Sequence, residues 1–414
     1  MQFHRCAPLD LAHVAYTDLV PPYVYLHLYL GGRLDVDRLT DAVERAAAVV
    51  PESLCRFDAR SVGFREAGFT GVDALAEQSE LSVGPEWDLE AGPQVKLLVG
   101  HGSAEDCLVI GISHILADAA GLRQYARLVS DIYCGQRVTT VNHRAVEPCL
   151  AGRPVGPATM AERRNLGTTV PIPPVLPVPP AEAGRHCRTV TLPAPTVAAL
   201  REVARARGAT LNDVFLAAYA RALARTLPAE TVRIGCPADL RRDSSGGLSI
   251  ANLSGLYKVT VTVNPDDGFA DTVDVVNAEM TVLRAANRHL AGVSELLAAC
   301  RRTPRAWVVR GLRRRAAPRP IAYSNLGVIP AGLRFGDCPV TGGFLTQAYR
   351  HAGEFQLGIS TFNGETPTTT LSCAVTGPVA VADVREHVLR EVAGECAAWA
   401  AADAHPFASG HPLG

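Results

Sequence analysis

Cys107-Leu108-Val109-Ile110-Gly111-Ile112-Ser113-His114-Ile115-Leu116-Ala117-Asp118-Ala119-Ala120-Gly121 is the stretch around which the chain is organised. Its apolar opening reads as a short strand buried on both faces. The run breaks at Ser113-His114, so an imidazole stands near the strand's end. Asp118 follows, directly before a helical pattern that starts at Ala119 and ends before Gly135, with Leu122, Ala126, Val129 and Tyr133 on one face. Asp118 suits the helix N-cap, and Gly135 the residue past its end. A backbone-fixed histidine followed by a carboxylate on a tight strand-to-helix connection is a good geometry for a general base. The same residues also fit a hydrogen-bonded structural histidine, and the segment by itself leaves both readings open. A zinc site is disfavoured, because His-x-x-x-Asp supplies two ligands and no third stands nearby.

Bulk properties bound the answer. A chain of 414 residues is too long for one ordinary core, and two domains are the natural expectation. Hydrophobic content of 48% with 20% charged residues describes a soluble globular protein. A net charge of -1 creates no field to recruit nucleic acid or an anionic membrane. Lys96 and Lys258 are the only lysines, which reads as the codon bias of a GC-rich genome. The 11 cysteines form no C-x-x-C pair, which points to reduced thiols in the cytoplasm. The opening residues lack a signal-peptide core, and no apolar run reaches the roughly 18 residues of a membrane span.

Outward from the motif, Tyr23 to Leu30 reads as a strand ended by Gly31-Gly32. A helix is expected from about Val36 to Val50, capped by Asp35 or Asp37 and stopped by Pro51. Glu86-Trp87-Asp88-Leu89-Glu90-Ala91-Gly92-Pro93 is a turn leading into a strand. Pro171-Ile172-Pro173-Pro174-Val175-Leu176-Pro177-Val178-Pro179-Pro180 should run as extended polyproline II. It places a crossover at residues 153–183, between halves at 1–152 and 184–414. The second half opens with a strand around His186–Leu192, a helix from about Val197 to Arg207, and another helix capped by Thr210 or Asn212. Residues 301–319 hold eight arginines and no acid. They could receive phosphate groups, though a solvated helix face explains them as well. Asn363-Gly364 between two strand patterns signals a tight hairpin.

The motif resembles His-His-x-x-x-Asp-Gly, the core signature of the condensation-domain and CoA-dependent acyltransferase superfamily. That group includes chloramphenicol acetyltransferase, condensation domains of nonribosomal peptide synthetases, and polyketide-associated and wax-ester acyltransferases. His114 matches the family's catalytic histidine and Asp118 its aspartate, while Ser113 and Ala119 replace the first histidine and the glycine. Further matches lie in the expected order. They are Leu34-Asp35 before a helix, Trp87-Asp88-Leu89 with Gly92-Pro93, and Ala209-Thr210-Leu211-Asn212-Asp213-Val214. Pro237-Ala238-Asp239-Leu240-Arg241 and Ser324-Asn325-Leu326-Gly327 complete the series.

The resemblance implies an α/β fold of two chloramphenicol-acetyltransferase-like domains, each a mixed sheet flanked by helices, with an active-site tunnel between them. It implies acyl transfer from a thioester to a hydroxyl or amine in natural-product biosynthesis, with His114 as general base. Asp118 would then hold the loop, with Arg241 as its partner and Ser113 in support. Ser324 and Asn325 would orient substrate or stabilise an oxyanion. No metal and no bound cofactor are expected. The substrate would be acyl-CoA or a phosphopantetheine-carried acyl thioester. Partners would be a small-molecule acceptor and an acyl or peptidyl carrier protein, with no nucleic acid and no membrane. Ser113 and Ala119 leave room for cyclisation or isomerisation on the same scaffold, or for a non-catalytic assembly-line partner.

Overall fold

The aliphatic run becomes the strand Asp106–Ser113, held inside a six-stranded sheet. The computed structural model describes residues 2–78, 84–156, 184–227, 229–241, 247–264, 266–315 and 321–402. Asp106–Ser113 pairs antiparallel with Tyr23–Leu30 on one side and Val95–His101 on the other. Leu108, Val109, Ile110 and Ile112 are completely buried, as a strand covered on both faces requires. The helices Val36–Ala46 and Ala119–Tyr133 pack against one another on this sheet, and each presents its apolar stripe inward. A small three-stranded sheet of Phe3–Arg5, Gly63–Glu66 and Cys55–Asp58 completes the first lobe.

The outer neighbour of Tyr23–Leu30 is Cys338–Thr346, a strand from far along the chain. Val340 lies opposite Leu30 and Thr346 opposite Tyr25, with a shift of register between Val340 and Gly342. The first lobe's sheet is therefore finished by residues of the second half. The second lobe is a mixed seven-stranded sheet running Ser254–Thr262, Thr231–Asp239, Ile321–Ile329, Phe355–Phe362, Thr368–Gly377 and Arg350–His351, with Gly184–Pro193 also paired to Thr368–Gly377. The helices Ala194–Ala206, Leu211–Thr226 and Val379–Ala402 cover it. Each lobe has its own apolar core, and Ile250, Ala251, Leu253, Leu326 and Tyr349 join the first core from the second half. The fold is thus α/β with two mixed sheets flanked by helices in two lobes.

Several boundaries differ from the sequence reading. The helix expected to reach Val50 ends at Ala46. The Ala47 amide already turns back to Glu44, and the residue before Pro51 is driven out of helical geometry. The helix expected from Val197 begins at Ala194, with Pro195 in the first turn, where a missing N–H costs nothing. Asn363-Gly364 lies in the link between two antiparallel strands, as the sequence suggests. The strands extend until Phe362 faces Thr368, so residues 363–367 all lie in the link, and neither Asn363 nor Gly364 has a positive φ. Of the cap candidates, Thr210 is the one used, in a reciprocal capping box with Asp213. The proline run at 171–180 and most of the expected crossover lie outside the described residues.

Candidate functional site

His114 leaves the strand end with its amide donating to the Pro22 carbonyl at 2.6 Å. One residue on, the Ile115 amide donates to Ser113 Oγ at 3.3 Å, and Ser113 is buried in the turn that carries the imidazole. The helix that follows starts at Asp118, whose carboxylate accepts from the Gly121 amide at 2.9 Å.

That carboxylate does more than cap. It also accepts from the Leu253 amide at 2.8 Å and the Ser254 hydroxyl at 2.9 Å. Arg241 meets both of its oxygens, Nη2 on Oδ1 at 2.9 Å and Nη1 on Oδ2 at 3.0 Å. Arg241 is fixed in turn by Asp239 and by the carbonyls of Ser249 and Ala251. Burial alone would raise the Asp118 carboxyl, but Arg241 and the amide donors hold it at about 2. Asp118 is thus an ionised tie between the motif and Arg241, Leu253 and Ser254 of the second half.

The ring of His114 is held by a residue that the motif does not reveal. Asn252 places its amide nitrogen among acceptors only: Asp10 Oδ1 at 2.9 Å, the His114 carbonyl at 3.0 Å and the Ile115 carbonyl at 3.1 Å. This turns its oxygen toward His114 Nδ1, 3.3 Å away. An oxygen can only accept, so Nδ1 carries the hydrogen and Nε2 keeps its lone pair. Burial pushes the imidazole below its ordinary range, against the opposing pull of Asp118, and the positive charge of Arg350 adds to the lowering. The neutral ring with a free Nε2 is the form a general base requires.

Asp10 belongs to the helix Asp10–Tyr16 and is itself tied to Arg144 at 2.7 Å. Three residues along the same helix, and so on the same face, His13 lies flat on His114. The ring centroids are 3.8 Å apart and the planes are inclined by 19°. Sequence reasoning missed Asp10, His13 and Arg144, and it noted the Ala251-Asn252-Leu253-Ser254-Gly255 segment only as a further match to the family pattern, with no role for Asn252. Helix spacing links only Asp10 and His13.

Ser324 and Asn325 sit on Ile321–Ile329, the strand that faces the motif helix. Asn325 is exposed, and its oxygen accepts from the Gly327 amide at 3.1 Å, across a register shift in the strand pairing. Gly327 has φ +91°, and a Cβ there would overlap the Arg123 guanidinium, which donates to the Leu326 carbonyl. Among the described residues, neither Ser324 nor Asn325 hydrogen-bonds to His114. The structure therefore brings Ser113, His114, Asp118 and Arg241 together and sets Ser324 and Asn325 beside the motif helix. No group of three or more potential metal ligands occurs among the described residues. No helix among them is long and apolar enough to cross a membrane.

No protein-family model matches the sequence, and no curated protein matches it either. Solved structures do match by shape over nearly the whole chain. The first condensation domain of the calcium-dependent antibiotic synthetase is 18% identical, with a TM-score of 0.60 over 96% of this chain and 97% of that one. Polyketide synthase associated protein 5 from Mycobacterium tuberculosis is 15% identical, with a TM-score of 0.63 over 96% and 98%. The epimerization domain from the third module of tyrocidine synthetase B is 14% identical, with a TM-score of 0.53 over 96% and 98%. At these identities the shared property is the two-lobed fold.

Proposed function

We propose that this condensation-fold protein is a biosynthetic acyltransferase in which His114 moves an acyl group from a thioester to a hydroxyl or amine. The observation that carries the reading is the half-buried His114 whose Nδ1 is pinned by Asn252, leaving Nε2 as the ring nitrogen able to take a proton. In the reaction, Nε2 removes the nucleophile's proton as its oxygen or nitrogen attacks the thioester carbonyl. The oxyanion collapses with cleavage of the C–S bond, and the thiolate leaves with the proton returned from His114. Asp118 relays no proton, because its oxygens are occupied by Arg241 and the amides. Ser324 and Asn325 are the reading's candidates for orienting the acceptor or meeting the oxyanion.

Delivery by a carrier fits the charge distribution. Arg301 and Arg302 at the end of the helix Ala291–Arg302, and Arg310, Arg314 and Arg315 on the next helix, are exposed, as is Trp307 at 70%. Arg305 and Arg313 are instead spent on the first lobe, bonding to the Cys6 carbonyl and to Val14 and Thr17. The helix Arg305–Arg315 packs against Asp10–Tyr16, the helix that reaches His114 through His13. We assign this face to the phosphate and acidic surface of a phosphopantetheine-bearing carrier protein.

The test is intact-mass detection of product from acyl thioesters presented on CoA and on a carrier, with small hydroxyl and amine acceptors. Acylated acceptor that disappears in His114→Ala is expected. A mass-neutral change would overturn transfer in favour of isomerisation, which the likeness to an epimerization domain makes the second reading.

A further inference from the structure

A base that gains a proton in a buried site needs something to hold the charge. Asp118, the obvious carboxylate, is already taken up by Arg241, Gly121, Leu253 and Ser254. Asn252 offers Nδ1 only a neutral amide oxygen. A further close contact is His13, stacked on the ring at 3.8 Å between centroids.

We propose that His13 is a positioning residue for His114 and that the two stacked imidazoles take up their first proton far more readily than their second. While His13 is neutral, its π face keeps the His114 ring flat and stabilises the imidazolium as it forms. Once His13 is protonated, a second positive charge at this distance is strongly disfavoured, and His114 becomes a much weaker base. The inference rests on the reading of His114 as the base. The charged groups around the pair are Asp118 and Arg350 toward His114, with Asp10 and Arg144 at the start of His13's own helix. Arg305 and Arg313 approach from the helix packed against it.

The experiment follows the histidine ring signals of the full chain by two-dimensional ¹H–¹⁵N NMR between pH 4 and 9, in wild type, His13→Phe and His13→Gln. Signals of both rings should respond to two steps at least about two pH units apart in wild type, as coupled charges demand. In His13→Phe, which keeps a ring and loses the charge, His114 should titrate in one step lying above the lower wild-type step. The acid limb of turnover should then reach lower pH. His13→Gln should show the same single step, and it serves if the Phe variant does not fold. A His114 titration unchanged by both variants overturns the proposal. Coupled steps with no turnover of any thioester would leave the pair standing and sink the acyl-transfer reading instead.

Discussion

Replacing Asp118 with Asn tests whether the motif aspartate is a structural tie or a chemical participant. The substitution keeps an oxygen for the Gly121 amide, so the helix cap survives. It removes the charge that faces Arg241 at 2.9 and 3.0 Å. Both side chains are under 10% exposed, so solvent does little to screen the loss. Depression of the carboxyl from 3.8 to about 2 corresponds to about 2 kcal/mol of stability. Breaking one partner of a buried pair costs about 3–5 kcal/mol where nothing else compensates. Arg241 retains Asp239 and two carbonyls, so about 2–3 kcal/mol is expected for Asp118→Asn. The assay is urea unfolding of wild type, Asp118→Asn, Arg241→Met and the double variant, with a coupling of about 1–3 kcal/mol expected. The sign with pH follows from the depressed carboxyl. Its stabilisation is present above about pH 4 and is lost as pH falls toward about 2, so Asp118→Asn should lack that limb. Additivity within about 0.5 kcal/mol, or an unchanged acid limb, would refute the tie.

His114→Ala should fold normally and lose about 10²-fold or more in rate, checked by turnover beside circular dichroism. Asn325→Ala should lower the rate by about 10-fold or more. Its stability should move by less than about 1 kcal/mol, because the residue is exposed; an unaltered rate would make Ser324-Asn325 a strand irregularity and nothing else. Burial holds His27, stacked on Phe344, down to about 4. Wild type should therefore lose up to about 3 kcal/mol as pH falls from about 6.5 to 4, and His27→Phe should not, as read from urea midpoints. Arg310→Glu with Arg314→Glu should raise KM for a carrier-bound thioester several-fold while leaving that for a short soluble thioester unchanged.

The sequence alone determined those features that depend on neighbours along the chain. The aliphatic run, the Asp118 cap and the positive-φ Gly135 all follow from local periodicity and local hydrogen bonding, and the choice of Thr210 over Asn212 as a cap came from the structure. The order of weak motifs pointed to the two-lobed fold that the solved structures share. The pairing of Arg241 with Asp118 was legible only as a candidate, because an ion pair 123 positions apart in sequence has no local signal. Tertiary structure alone decided what surrounds the imidazole. Asn252 reaches His114 across 138 positions, and Asp10 reaches Asn252 across 242. His13 meets the ring because one helix happens to pack over the strand end. The strand Cys338–Thr346 likewise shows no sign in its own residues that it completes the opposite lobe's sheet. Backbone pairing is nearly indifferent to side-chain identity, so the choice of partner strand belongs to the packing of the whole molecule.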